Sequence, residues 1–196
     1  SSMQPYPTIE QFIGKTPLVA LQRLGGDLAS RGNVLLGKLE GNNPAGSVKD
    51  RPALSMIARA EMGGDIRPGD TLIEATSGNT GIAFAAIGAY LGNPVTIFMP
   101  DWMSKERISL IESYGATIRL VSKAEGGFTG SIALADLMGE TKGAFLPHQF
   151  SNPENCAAHY ATTGKEILAQ LETFGKRPQG FVAGVGTGGT LMGVKD

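Results

Sequence analysis

Short apolar runs alternate with amphipathic stretches along most of this chain. The apolar runs predict strands at 33–40, 71–75, 94–100, 116–122 and 180–185, the first of which has the pattern of a buried strand. The stretches between them have the helical spacing of about 3.6 residues. These predicted helices lie at 53–62, 82–92, 104–115, 129–140 and 162–172, and a further one starts at Leu191. Strands that alternate with helices in this order are typical of an α/β protein whose parallel sheet is covered by helices.

Composition excludes several classes of function. The formal net charge is −1, so the chain lacks the excess of Lys and Arg that binding to nucleic acid needs. Cys156 is the only cysteine, which excludes a disulfide framework or a thiolate metal cluster within one chain. His148 and His159 lack the spacing of metal ligands, so we expect no metal site.

The sequence carries no signal for a membrane span or for secretion. Its longest nearly apolar stretch, 81–92, has twelve residues, fewer than the ~18 of a membrane span. Residues 1–10 lack both the basic region and the apolar core of a secretory signal. We therefore expect a cytoplasmic protein that does not bind membranes.

Three polar, glycine-containing stretches stand where loops lead into predicted helices, at 42–51, 76–81 and 186–190. In open parallel sheets, ligands bind beyond the carboxyl ends of the strands, where such loops lead into helices. We therefore expect these three stretches to converge on one crevice.

The stretch GTGGT, from Gly186 to Thr190, has the composition of an anion-binding loop. Its glycines allow backbone N–H groups to turn inward, and the following helix start adds its dipole. Thr187 and Thr190 add hydroxyl donors. The same glycines also suit a tight turn that needs only backbone freedom, so both interpretations stay open.

The stretch TSGNTG, from Thr76 to Gly81, is rich in hydrogen-bond donors. Thr76, Ser77, Asn79 and Thr80 supply three hydroxyls and one amide directly after a predicted strand. These groups suit a carboxylate or a second phosphate. The alternative is that one of them only caps the following helix.

The remaining stretch contains Lys49 just before a predicted helix. Ser47 and Asp50 have the spacing of a capping box, and Pro52 favours a first turn that begins near Asp50. An ammonium group there faces the positive end of the helix dipole, and burial would lower the pKa of a lysine below its usual ~10.4. Lys49 is therefore either an ordinary solvated lysine or a neutral amine of the kind that forms Schiff bases.

An uncharged amine, an anion-binding loop and a donor-rich loop in one crevice together suit pyridoxal phosphate. Four motifs also occur in order along the chain: NPAGSVKDR, EATSGNTGIA, HQFSNPEN and GVGTGGTLMGV. In these motifs the chain resembles the pyridoxal-phosphate enzymes of the β-replacement type, which have fold type II and include the cysteine synthases. The resemblance runs from residue 13 to the end of the chain.

The resemblance implies a role for each matched residue. It makes Lys49 the Schiff-base lysine and proton shuttle, and it makes Asn79 the partner of the cofactor's ring hydroxyl. The residues that it assigns to the substrate carboxylate are Thr76, Ser77, Thr80 and Gln149. The residues that it assigns to the cofactor phosphate are Gly186, Thr187, Gly188, Gly189 and Thr190.

The resemblance also implies an architecture for the whole protein. It predicts a larger cofactor-binding domain that includes residues 1–42 and 153–196, and a smaller mobile substrate domain, residues 43–152. Members of the family continue beyond the helix that starts at Leu191, so we expect this chain to be truncated at its C-terminus. The missing part would supply the serine that contacts the pyridine nitrogen. The resemblance further predicts a homodimer.

The activity that the resemblance implies is a β-replacement. O-acetyl-L-serine and sulfide or thiosulfate would give L-cysteine or S-sulfocysteine, together with acetate. Cystathionine β-synthase and serine/threonine dehydratase share the fold and stay open as alternatives. A non-catalytic binding protein is a further alternative, which the presence of Lys49 disfavours.

Overall fold

The computed structural model describes residues 6–76, 78–141, 143–149, 151–185 and 188–196. Its strands are β1 (Leu18–Ala20), β2 (Leu36–Lys38), β3 (Thr71–Ala75), β4 (Val95–Pro100), β5 (Thr117–Val121) and β6 (Ala144–Phe145). Its α-helices are α1 (Gly26–Ser30), α2 (Asp50–Met62), α3 (Asn79–Leu91), α4 (Lys105–Ser113), α5 (Gly127–Gly139), α6 (Glu154–Ala158), α7 (Lys165–Thr173) and α8 (Gly189–Lys195). Short 3-10 helices span Ile9–Phe12 and Glu40–Asn42, and a π-helix spans His159–Gly164. Among the described helices, none is long and apolar enough to cross a bilayer.

The main sheet is parallel and has the order β5-β4-β3-β6 within the described residues. The strands β3 and β4 lie at its centre, and every residue of β3 except Thr71 is buried. Strands that are covered on both faces read as continuous apolar runs, which is why the sequence identifies them. The prediction of an α/β fold with a parallel sheet is confirmed.

Each face of the sheet has its own apolar core. Helices α2, α3 and α4 cover one face, where Ile57, Phe84 and Ile111 pack against Ile97 of β4. Helix α5 covers the other face through Ala135 and its neighbours. This layering fixes the carboxyl ends of the strands at one edge, where the chain leads into α3.

The prediction of a buried strand at 33–40 is only partly correct. Strand β2 keeps just three of these residues, and it pairs antiparallel with β1 outside the main sheet. All three are half-buried, because a two-stranded sheet has no further strand to cover its outer side.

The prediction of a strand at 180–185 is wrong. These residues form no regular element, and Val182 is 96% exposed. A strand needs a neighbour for its backbone N–H and C=O groups, and none of the described strands pairs with this segment. The apolar pattern is therefore present without the partner that would make it a strand.

Two predicted helices have different limits from those expected. Helix α3 begins three residues before the predicted residue 82, so it contains Asn79 and Thr80. The predicted helix at 162–172 is the last part of a longer helical segment, in which α6, the π-helix and α7 follow without a break. The helix predicted from residue 104 does begin after Ser104, whose hydroxyl accepts a hydrogen bond from Arg107 N at 3.3 Å.

The predicted domain limits stay predictions. The whole parallel sheet, β3 to β6, lies inside the predicted smaller domain of residues 43–152. Side-chain contacts join that range to the rest of the chain, such as the hydrogen bond from Ser55 to Glu154 at 2.7 Å.

Candidate active site

Lys49 is the residue directly before α2, as the sequence predicted. Its side chain is half-buried, and burial lowers the pKa of its amine. None of the described residues forms a hydrogen bond or an ion pair with this amine. A lysine without a partner in a desolvated position gains access to its neutral, nucleophilic form.

The turn before α2 is held differently from the predicted capping box. Asp50 Oδ2 accepts a hydrogen bond from Ala45 N at 2.7 Å, and Ser47 Oγ accepts one from Lys49 N at 3.2 Å. The two side chains therefore bond to other residues rather than reciprocally to each other. Burial raises the pKa of Asp50 to about 6, and its second carboxyl oxygen has no partner among the described residues.

The first turn of α2 is fixed by a buried group that we call the Arg51 cluster: Arg51, Glu40, Glu166, Thr16 and Lys38. Arg51 makes paired hydrogen bonds to both carboxylates, including 2.6 and 2.9 Å to Glu166, and a further one of 3.1 Å to Thr16. Lys38 Nζ adds a bond of 3.0 Å to Glu166. Because Arg51 follows Lys49 by two residues, this cluster holds the helix start that carries the amine.

The junction between β3 and α3 presents polar groups, as predicted. Thr76 is buried, and its hydroxyl accepts a hydrogen bond from Gly78 N at 3.2 Å. Asn79 is exposed at the first position of α3, and Thr80 follows it. Neither side chain bonds to another described residue, and no described side chain caps this helix. The interpretation of these residues as simple caps is therefore not supported for the described part of the junction, from which Ser77 is missing.

Gln149 lies against the carboxyl end of β3, so the structure brings two distant predicted site segments together. Its amide Nε2 donates to Ala75 O at 3.1 Å, and its side chain is buried. Asn155 Nδ2 donates to Gln149 O and holds the loop from the other side. An amide nitrogen has two hydrogens, so one remains for a ligand.

The predicted phosphate loop is described only in its second half, since Gly186 and Thr187 lie outside the described residues. Gly188 has a φ of +82°, in the left-handed region that favours glycine, and it directly precedes α8. Apart from its chain neighbours, no described residue has an atom within 4 Å of where its Cβ would stand. The hydroxyl of Thr190 lies 3.1 Å from His159 Nε2.

His159 is a site residue that the sequence reasoning missed. It is 1% exposed at the start of the π-helix, and its Nδ1 lies 2.8 Å from Thr163 Oγ1. Burial lowers its pKa to about 4, and the positive charges of Arg51 and Lys49 act in the same direction. The ring is therefore neutral near pH 7 and lies between the hydroxyls of Thr163 and Thr190. The sequence could have indicated it only through the four-residue spacing to Thr163.

The helices that follow the three predicted junctions are connected by packing. Helix α2 packs against α3 and α6, and α6 packs against α8. The convergence of the helix starts at Asp50, Asn79 and Gly189 on one crevice stays a prediction.

A cavity of about 240 Å³ opens beside Gln149 at the end of β3. Its walls are mainly apolar, with a few polar groups. Its lining residues are Glu74, Ala75, Phe128, Ile132, Ala135, Asp136, Leu146, His148, Gln149 and Ser151. Glu74 was not predicted as a site residue, because its position inside a strand gave no reason to expect a ligand there.

The donors present fit pyridoxal phosphate. The Lys49 amine has no described partner and suits an aldehyde, while the open backbone at Gly188 and the Thr190 hydroxyl suit phosphate oxygens. The exposed Asn79 amide suits a ring hydroxyl.

Comparisons with known proteins agree with this donor set. The family model described as pyridoxal-phosphate dependent enzyme matches residues 9–195. Cysteine synthase B of Pseudomonas aeruginosa is 56% identical over 190 residues, which cover 96% of this chain and 61% of that protein. Among solved structures, an O-ureido-L-serine synthase superposes with a TM-score of 0.88 and 43% identity, covering 96% of this chain and 58% of that one. A hydrogen sulfide-producing enzyme from Fusobacterium nucleatum superposes with a TM-score of 0.86 and 45% identity, covering 95% of this chain and 55% of that one. The chain thus spans 59–61% of the length of the first curated relatives that it matches.

Proposed function

Because this chain belongs to the family of pyridoxal-phosphate dependent enzymes, we propose that the whole protein makes cysteine by β-replacement. The substrates in this proposal are O-acetyl-L-serine and sulfide or thiosulfate, and the products are L-cysteine or S-sulfocysteine plus acetate. The observation that carries the proposal is the half-buried Lys49 amine, which has no described partner and a lowered pKa at the start of α2. The identity of 56% to a cysteine synthase B supports the choice of reaction.

In this proposal Lys49 holds the cofactor and moves the proton. Bound pyridoxal phosphate supplies an electron sink for a carbanion next to an amine. The Lys49 amine, released from the cofactor when the amino group of O-acetyl-L-serine takes its place, would remove the proton from the α carbon, and acetate would leave from the β carbon. Sulfide or thiosulfate then adds to the β carbon, and Lys49 returns a proton to the α carbon.

The other predicted residues bind and orient. Thr76, Ser77, Thr80 and Gln149 would hold the substrate carboxylate through hydroxyl and amide donors. Asn79 would hold the ring hydroxyl of the cofactor. The segment from Gly186 to Thr190 would hold its phosphate through backbone N–H groups and threonine hydroxyls.

A product assay tests the proposed reaction. Purified full-length protein loaded with pyridoxal phosphate is given O-acetyl-L-serine and sulfide, and cysteine and acetate are measured. Homocysteine as the acceptor tests for a cystathionine β-synthase, and keto-acid release tests for a dehydratase. The names of the two structural neighbours add release of hydrogen sulfide and formation of O-ureido-L-serine to the panel. Formation of equal amounts of cysteine and acetate supports the proposal, and keto acid as the main product contradicts it.

The assembly and location of the whole protein are part of the same proposal. We place the enzyme in the cytoplasm as a homodimer, in which the smaller domain of residues 43–152 closes over the substrate. Light scattering of the full-length protein measures its mass in solution. The mass of a dimer supports the proposed homodimer, and the mass of a monomer contradicts it.

Thr190→Ala is expected to weaken cofactor binding by about tenfold to hundredfold. The substitution removes a hydroxyl bond to a charged oxygen, which is typically worth ~1.5–3 kcal/mol. Titration of apoprotein with pyridoxal phosphate measures the affinity. Thr173→Ala is the matched control, because its hydroxyl bonds to Gln170 O within its own helix at 2.6 Å. Equal affinities for Thr190→Ala and the wild type would leave this residue with a structural role only.

Gln149→Ala is expected to slow acetate release by roughly tenfold or more at substrate concentrations well below KM, because the substrate carboxylate loses a charge-assisted hydrogen bond of ~1.5–3 kcal/mol. The methyl ester of O-acetyl-L-serine should show a similar defect with the wild-type enzyme, since esterification removes the carboxylate charge. Rapid-quench measurement of acetate follows both reactions, with the exposed Gln11→Ala as the control variant. If ester and free acid release acetate at the same rate, the carboxylate does not take part in closure.

A further inference from the structure

Glu74 is a buried carboxyl group at the carboxyl end of the sheet. It is 4% exposed, and its position in β3 is opposite Ile97 of β4. One carboxyl oxygen accepts a hydrogen bond from Ala75 N at 3.0 Å, and the other accepts one from Gln149 N at 3.3 Å. No described Lys or Arg forms an ion pair with it. A buried charge without a counterion is costly, so its position calls for a specific role.

The loop around Gln149 is attached to β3 at two points. The side-chain amide of Gln149 donates to Ala75 O at 3.1 Å, while its backbone N–H donates to Glu74. Without the bond to Glu74, the backbone N–H of Gln149 would be left buried and unpaired. The direction of the remaining amide hydrogen therefore depends on where Glu74 holds the main chain.

We propose that Glu74 is a positioning residue, which orients Gln149 for the substrate carboxylate by accepting its backbone N–H. This inference rests on the proposed function, because it assigns Gln149 the carboxylate of O-acetyl-L-serine. Glu74 itself touches neither substrate nor cofactor in this role. It acts on the affinity for substrate and leaves the proton transfer at Lys49 unchanged.

The bond depends on the protonation state of Glu74. A carboxylate accepts hydrogen bonds strongly with both oxygens, whereas the neutral acid turns one oxygen into a donor that accepts an N–H group only weakly. Burial raises the pKa of Glu74 to about 7, against the opposing effect of its two backbone bonds. The loop is therefore attached above about pH 7, and the attachment weakens as the pH falls below that value.

The groups that face Glu74 are few. Asp136 of α5 adds a negative charge that raises the pKa further, and its carboxylate lies 3.2 Å from His148 Nε2 in the same loop as Gln149. Strands β4 and β6 contain no titratable residue, and α3 contains only Tyr90 near its far end. The titratable groups at this contact among the described residues are therefore Glu74, Asp136 and His148, and replacement of Glu74 alone isolates its effect.

Glu74→Gln provides the kinetic test in the full-length holoenzyme. The amide keeps the shape of the side chain but offers one acceptor oxygen at every pH, so it imitates the protonated form. We expect the KM for O-acetyl-L-serine to be about tenfold higher than in the wild type at pH 8.5, with kcat unchanged. At pH 6 the ratio of the two KM values should approach one. The exposed Glu172→Gln is the matched control, and its KM should equal that of the wild type at both pH 8.5 and pH 6.

Hydrogen exchange of residues 144–155 tests the same contact without any reaction. After correction for the intrinsic rate, the wild-type amide of Gln149 should be about tenfold better protected at pH 8.5 than at pH 6. The Glu74→Gln protein should lack this difference. Wild-type protection that is the same at both pH values overturns the inference, even where the variant does not fold. If the wild-type Gln149 amide loses protection at pH 6 but the holoenzyme does not react with O-acetyl-L-serine, the contact between Glu74 and Gln149 is supported. The proposed reaction is then contradicted instead.

Discussion

Replacement of Lys49 by alanine is expected to abolish the formation of cysteine while leaving the fold intact. General acid–base catalysis alone contributes ~10²–10⁴-fold to a rate, so we expect turnover to fall by at least about a thousandfold. The fold should persist, because the amine has no described partner and Lys49 stands before α2 rather than inside it. Turnover and thermal unfolding of the full-length variant measure the two effects. The exposed Lys105→Ala is the control.

Lys49→Arg separates the amine from its charge. Arginine keeps a positive charge at the same place but stays protonated at every accessible pH, so it can neither attack an aldehyde nor accept a proton. We therefore expect Lys49→Arg to be as inactive as Lys49→Ala. Turnover near the wild-type rate in either variant would show that another group is the base.

Replacement of Arg51 by methionine is expected to lower the free energy of unfolding by about 3–5 kcal/mol. Methionine fills much of the same volume but leaves Glu40 and Glu166 without their shared counterion. Each of the two carboxylates then loses one pair of hydrogen bonds. Urea unfolding of wild type and variant gives the difference. Arg59→Met is the matched control, since Arg59 has a 77% exposed side chain and only a 3.7 Å contact to Glu154.

The reason for the loss can be tested within the Arg51 cluster. If uncompensated charge is the cause, then adding Glu166→Gln to Arg51→Met should recover part of the stability. Burial acts to raise the pKa of Glu166, but hydrogen bonds from Arg51 and Lys38 outweigh it and lower the pKa to about 2. A lowered carboxyl pKa means that this contribution is present above about pH 4.5 and is lost as the pH falls toward 2. If Arg51→Met and Arg59→Met lower the free energy of unfolding by the same small amount, the Arg51 cluster does not stabilise the fold in this way.

Local pattern was sufficient for the centre of the fold. The run TLIEA was predicted as a strand at 71–75, which is also the extent of β3. Its residues are covered on both faces, so apolar character alone marks it. Strand β4 is likewise almost wholly buried, whereas β5 is mostly exposed at the edge of the sheet. The predicted limits of both strands differ from the observed ones by one residue at each end at most.

Local pattern also located the start of α2 at Asp50 and so placed Lys49 directly before it. Proline geometry and short-range spacing determine such a helix start. The local sequence pattern failed to predict the structure at 180–185, where an apolar run pairs with none of the described strands. It also failed for Ser47 and Asp50, whose spacing allowed a capping box while the folded turn gave Asp50 a different partner, Ala45 N.

The sequence by itself determined the fold class, the helix start at Asp50 directly after Lys49, and the family, because each of these depends on residues close together in the chain. Only the tertiary structure decided the partners of the buried polar groups. Glu74 meets Gln149 across 75 residues, and Arg51 meets Glu166 across 115. The environment of a buried charge depends on the packing of whole helices and sheets, since desolvation and hydrogen bonds reach it from segments that the sequence does not place side by side.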